Sequence, residues 1–234
     1  MVPEQYVWFI WATAFLLPWG ALYFAFPSYR MTMRWMSLFT APFGLTEPLF
    51  VPRYWNPPSL FDLAHRTGFD IESLIFTFAI GGVAAVLYSV TTRRGTETVP
   101  ASEQHRPWHR HHAKALAAPF IVFPILYFLP WNPIYPGIVA MFIGATATIA
   151  CRPDLKTKIW IGGLLFLGYY IVFLMGLEWT APGYIARVWN LAALSGVRVF
   201  GMPLEELAWA VAFGLYWSGA YEHFTWQRLG HTQH

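Results

Sequence analysis

The fold is decided by the stretch Pro203-Leu204-Glu205-Glu206-Leu207-Ala208-Trp209, which opens the last long apolar run of the chain and leads to Tyr221. Two adjacent carboxylates stand at the mouth of a segment that otherwise reads as a membrane helix. An ionisable side chain is costly there and marks a functional site by default. The stretch has a counterpart 133 positions earlier, Gly68-Phe69-Asp70-Ile71-Glu72-Ser73-Leu74-Ile75-Phe76. Aligned without a gap, Glu72 falls on Glu205, Leu74 on Leu207 and Phe76 on Trp209, and the match continues to Tyr88 and Tyr221. Two copies of one unit, built to bring two acidic helix ends together, explain this pattern.

Composition places the unit in a membrane. The 234 residues are 56% hydrophobic and 12% charged, against roughly 25% charged in soluble domains, and the mean hydropathy is +0.41. A net charge of +3 is small and gives no reason to expect nucleic acid as a partner. The single cysteine, Cys151, excludes an internal disulfide and any site built from several cysteines. Met1-Val2-Pro3-Glu4-Gln5 lacks the basic start of a signal peptide, so the first apolar run is expected to be a retained span.

About 20 apolar residues are needed to cross ~30 Å of hydrocarbon. Seven segments qualify, near 6–27, 33–51, 69–90, 113–131, 134–151, 158–178 and 203–222. With seven spans the basic residues separate by side. Eleven Lys and Arg, among them Arg93, Arg94, Lys114, Arg152 and Lys156, fall on one side, and Arg53, Arg66, Arg187 and Arg198 fall on the other. The positive-inside rule then puts the N-terminus outside and the C-terminus, with His234, in the cytoplasm.

The internal match fits this count. Arg53-Tyr54-Trp55-Asn56 follows the second span and Arg187-Val188-Trp189-Asn190 follows the sixth. Gly44-Leu45-Thr46-Glu47 resembles Gly176-Leu177-Glu178 with one gap. The expected fold is therefore an all-α integral membrane protein of seven helices in a parallel 3+1+3 tandem repeat. Residues 1–92 form the first three-helix repeat, 93–131 a basic cytoplasmic loop with a linker helix, and 132–234 the second repeat.

The connection 91–114 is the only long polar stretch and contains His105, His109, His111 and His112. Four histidines can bind a metal. The reading preferred from sequence is a loop lying on anionic headgroups, because no cysteine accompanies them and the interleaved arginines repel cations. No metal and no cofactor is therefore expected. Residues 57–69 and 187–200 read as interfacial or re-entrant pieces on the outer side.

Glu47, Glu72, Glu178, Glu205 and Glu206 all fall at the outer ends of spans. On a helix, residues i and i+4 share a face, so Phe76 lies a turn below Glu72 and Trp209 a turn below Glu205. A carboxylic acid in a low-dielectric cavity holds its proton and can deliver it to an alkene. An aromatic face stabilises the resulting cation, and a second carboxylate removes a proton. This chemistry is redox-free cyclisation of an isoprenoid, with Glu205 as donor and Glu72 or Glu206 as base. Glu206, about 100° round the helix from Glu205, is expected to meet Glu178 or a loop amide. The blander readings are that the glutamates complement helix dipoles and that Trp55 and Trp189 belong to an interfacial aromatic belt. Gly81-Gly82 and Gly162-Gly163 read as helix-packing glycines. Lys114, Lys156 and Lys158 lie at the basic ends, which excludes a retinal Schiff base.

Pro203-Leu204-Glu205-Glu206-Leu207 and its partner Asp70-Ile71-Glu72-Ser73-Leu74 resemble the motifs of the membrane-type lycopene cyclases, which occur as heterodimers and as fused forms. The resemblance covers nearly the whole chain, in fused form. It implies a carotenoid cyclase, an intramolecular lyase or isomerase that closes an ionone ring at a ψ-end of lycopene by proton addition and loss. It further implies Glu205, Glu206 and Glu72 as catalytic groups. Around them Trp209, Phe76, Glu47, Glu178, Trp55 and Trp189 are expected to contact substrate. The first copy departs from the motif at Asp70 and Ser73, where the second has Pro203 and Glu206. Partners would be a lipophilic isoprenoid, membrane lipid of a bacterial or archaeal cell membrane, and copies or relatives of the chain. Two competing expectations share the architecture: a 3+1+3 small-molecule transporter and a non-catalytic carotenoid-binding subunit.

Overall fold

A computed structural model describes residues 3–232; His234, expected in the cytoplasm, lies outside them. The chain is mostly helical. Helices α1 (Glu4–Ala14) and α2 (Leu16–Ala25) follow each other almost without interruption. The ladder breaks between them because Pro18 has no N–H to offer the Ala14 carbonyl. Helix α3 (Arg30–Thr40) runs on as a 3-10 segment, Ala41–Leu49, that carries Pro42 and Pro48. The short α4 (Leu63–Thr67) precedes α5 (Ile71–Thr92), and the short α6 (Ala101–Gln104) precedes α7 (His112–Tyr127), α8 (Ile134–Cys151) and α9 (Lys156–Thr180). The short α10 (Tyr184–Val188) and the long α11 (Leu204–Thr225) complete the helices.

Each of the seven expected segments is helical, but among the described residues only four helical stretches are long and apolar enough to cross a membrane: Glu4–Ala25, Ile71–Thr92, Ile134–Cys151 and Pro153–Thr180. The others fall short for visible reasons. The 33–51 segment is half 3-10. Helix α7 has 16 residues with Pro119 and Pro124 inside it, and α11 carries Glu205, Glu206 and Glu222. Large apolar side chains such as Leu17, Phe24, Ile125, Leu164 and Val172 stand exposed, which suits a surface facing hydrocarbon rather than water.

The described residues divide into two compact units. The first holds the chain up to Val83, Asn132–Ile134 and Gly168–Leu207; the second holds Ala84–Trp131, Tyr135–Leu167 and the chain from Ala208 onward. In the first unit α5 packs on α3 through Gly81 and Gly82. A Cβ at Gly81 would stand 2.0 Å from Thr40 Oγ1, and one at Gly82 2.4 Å from Ser37 Oγ. The motifs around Trp55 and Trp189 meet in an antiparallel bridge. Asn56 N–H donates to the Val188 carbonyl at 2.8 Å and Asn190 N–H to the Tyr54 carbonyl at 2.9 Å. Positions matched in the sequence thus exchange reciprocal main-chain bonds.

In the second unit Gly163 lets α9 approach α11, where a Cβ would stand 2.7 Å from Leu215 Cδ2. Nearby, Lys158 Nζ and Glu222 Oε1 form an ion pair at 2.5 Å with both side chains buried. The connection 91–114 is not simply a loop. Strand β1 (Arg94–Thr98) pairs antiparallel with a C-terminal strand, Gln227–Thr232, in the register Thr96↔Leu229, Glu97↔Arg228 and Thr98↔Gln227. In the first unit the 187–200 segment also holds extended chain, with β2 (Arg198–Val199) pairing β3 (Met202–Pro203); the C-terminal strand is thus β4.

Candidate active site

All the glutamates singled out from sequence lie in the first unit, and four of the five are buried: Glu47, Glu72, Glu205 and Glu206. Asp70 caps α5 by accepting the Ser73 N–H at 2.5 Å, the bond expected between an N-cap carboxylate and the third helical residue. Glu72 Oε1 accepts the Leu60 N–H at 2.6 Å, and Glu205 Oε1 accepts the Ser195 N–H at 2.8 Å. The two matched acids therefore do matched work, each taking a main-chain donor from the segment ahead of its own helix. The Ser73 hydroxyl donates to Glu47 Oε2. Half-buried Glu178 accepts the N–H groups of Gly183 and Ile185 at 2.5 and 3.2 Å, closing the turn into α10.

Glu206 is different. Its carboxylate accepts three side-chain hydrogen bonds: from the Tyr54 hydroxyl, from Trp189 Nε1 at 2.6 Å and from the Tyr170 hydroxyl at 2.8 Å. The expected partners, Glu178 or a loop amide, are replaced by aromatic donors. Tyr54 and Trp189 come from the two bridged loops and Tyr170 from α9. The donors reach Glu206 because it is the third residue of α11 and points a third of a turn away from Glu205.

These donors belong to an aromatic cluster. Phe76 lies 5.4 Å from Trp8, 5.0 Å from Phe15 and 6.4 Å from Tyr170, ring centre to ring centre. Trp55 lies 5.0 Å from Trp8 and 5.5 Å from Trp189. The structure so gathers Glu206, Phe76, Trp55 and Trp189 from the expected set. Trp209 falls in the second unit, where its ring stacks on Phe213 at 5.2 Å and Phe213 on Trp217 at 5.2 Å.

Tyr54, Tyr170, Trp8 and Phe15 were not singled out from sequence. Tyr54 had a signal in the internal match. It stands where the second copy has Val188, just as Ser73 stands where the second copy has Glu206. The extra acid of one copy is held by the extra hydroxyl of the other. Tyr170 had no such signal, since aromatic residues are common throughout α9.

Chemically, the cluster can orient a carboxyl group at one wall of an apolar, ring-lined environment. There a proton can be held and exchanged, and cationic character can be met by π faces. These features describe a mostly helical protein with helices apolar enough to cross a membrane and a buried carboxylate among aromatic side chains. Residues 132–224 match the family model described as lycopene cyclase, which supports a lycopene cyclase family and a carotenoid cyclase function. The matched segment contains Tyr170, Trp189, Glu205 and Glu206, and a domain of this kind implies a lipophilic carotenoid substrate. Neither the curated proteins nor the solved structures return a match to the chain.

Proposed function

We propose that the protein is a membrane carotenoid cyclase that closes a ring at the end of a linear polyene. The observation that carries this is the Glu206 carboxylate, held by Tyr54, Tyr170 and Trp189 beside Phe76 and Trp55. A proton adds to the terminal double bond, and the electron pair of a neighbouring double bond attacks the cation to form the ring bond. Loss of a proton from a carbon next to the new cation restores neutrality, so product and substrate have the same mass. Glu206 exchanges the proton at the reacting end, with Glu205 and Glu72 as the further acids of the site. Phe76, Trp55 and Trp189 face the cationic intermediate, and Glu47 and Glu178 hold the surrounding turns.

The reading carries its architecture with it: seven spans as 3+1+3, with repeats 1–92 and 132–234 joined by 93–131, the N-terminus outside and the C-terminus in the cytoplasm. The helices over all seven expected segments and the reciprocal Trp55–Trp189 bridge support it.

Expression in cells that accumulate lycopene tests the proposal by pigment extraction and mass spectrometry. A product of unchanged mass with altered absorption is expected, and Glu206→Gln should abolish it. Unaltered lycopene from cells making the folded protein overturns the assignment.

A further inference from the structure

The second unit holds a group of donors that the cyclase reading does not use. His109 stands in the 3-10 segment Pro107–His111, His112 opens α7, and Cys151 closes α8. The last of these answers the objection raised from sequence, because a cysteine distant in the chain does accompany the histidines. Cys151 Sγ lies 3.6 Å from His109 Nδ1 and 3.5 Å from His112 Nδ1. One ligand atom from each of the three residues falls within 4.8 Å of the others.

Zinc held tetrahedrally by thiolate at ~2.3 Å and imidazole at ~2.0–2.1 Å places sulfur and nitrogen about 3.6 Å apart. Both separations match that edge. We propose that His109, His112 and Cys151 form a binding site for a zinc-class divalent cation, with the fourth position left to water. A thiolate with two imidazoles selects zinc and its neighbours over magnesium or calcium, which take oxygen ligands.

The surroundings fix the ligands. The His112 ring stacks on Trp226 at 3.9 Å and meets His223 edge-on at 4.5 Å, and the His109 ring meets Trp226 edge-on at 5.0 Å. Buried His223 pairs its Nδ1 with Thr148 Oγ1 at 3.1 Å, while its Nε2 has no protein partner among the described residues. Arg152 and Arg106 are repulsive neighbours of His109, and the Arg152 charge is engaged elsewhere. It pairs with Asp154 at 2.9 and 2.7 Å and donates to the carbonyls of Glu222 and Gln227 at 3.3 and 2.6 Å. Bound metal would tie the start of α7 to the end of α8.

The test uses the full chain, purified in detergent with a tag free of histidine, stripped with a chelator and titrated with Co(II). One Co(II) per chain is expected, with the absorption of sulfur-to-cobalt charge transfer. Cys151→Ser should remove that absorption. His109→Ala should weaken binding more than about tenfold, the least that loss of even an outer-shell partner costs. His105→Ala with His111→Ala should leave stoichiometry and spectrum unchanged. Binding without charge transfer overturns the site, as does a spectrum that survives Cys151→Ser or binding lost with His105 and His111. Where Cys151→Ser does not fold, His109→Ala decides: unchanged affinity overturns the proposal.

Discussion

The starts of α5 and α11 are the same sequence idea carried out twice with two differences. At the second helical position both have glutamate, and both glutamates take a main-chain N–H from the preceding segment, Leu60 in one case and Ser195 in the other. At the third position one has Ser73 and the other Glu206. Ahead of the helix one has Asp70 as a cap and the other has Pro203. The shared residues perform the shared task of holding a loop. The extra acid, Glu206, is free of that task and sits among aromatic hydroxyl and indole donors. Repetition in the sequence pointed to the matched acids, yet the unmatched acid has the surroundings suited to chemistry.

The sharpest way to break this contrast is to substitute the unmatched acid. Glu206→Gln keeps the size and an acceptor oxygen but removes the transferable proton, so cyclised product should fall at least about 100-fold, the lower range for loss of a general acid or base. Pigment yield normalised to purified protein measures it, and a residual rate near wild type would return the weight to Glu205 and Glu72.

Next in size, breaking the Lys158–Glu222 pair compares a buried acid that is held by a charge with those held by neutral donors. Lys158→Met should cost about 3–5 kcal/mol because it strands a buried carboxylate, and Lys158→Met with Glu222→Leu should recover most of the loss. Thermal denaturation in detergent gives both values. Equal losses in the single and double variants would contradict a charge-paired core.

The two matched acids should then behave alike. Glu72→Ala and Glu205→Ala each leave a main-chain N–H without its carboxylate and should each cost about 1–3 kcal/mol. A large difference between the two, measured in the same detergent, would show that the match in sequence is not a match in role. The smallest effect falls on the cap. Asp70→Ala should cost about 1 kcal/mol, whereas Pro203→Ala, which removes no capping side chain, should change stability by less.

The helices were legible because apolar runs and the prolines that interrupt them act locally. Residues 134–151 and 158–178 were expected as spans, and α8 and α9 cover Ile134–Cys151 and Lys156–Thr180. The burial of Glu72, Glu205 and Glu206 was legible because a carboxylate inside an apolar run must find internal partners. What those partners would be was not, since Tyr54 and Tyr170 reach Glu206 across 152 and 36 positions. Cys151 likewise meets His112 across 39 positions, a pairing that no spacing rule anticipates. The Arg94–Thr98 strand was missed because its partner lies at the other end of the chain and neither strand has an apolar face to announce it.

The bridge between Asn56 and Asn190 has the form of a contact between two identical subunits, in which each side gives what it receives. A true pair of identical subunits must repeat every change on both sides and so builds two equal sites. Here the reciprocal bonds use main-chain atoms alone, and both partners belong to one chain. Side chains around the bridge are therefore released from symmetry: Tyr54 need not be answered by a second tyrosine, nor Glu206 by a second glutamate. A frame of matched backbone can in this way carry one asymmetric cluster of side chains, in which a single acid gathers donors from both bridged loops.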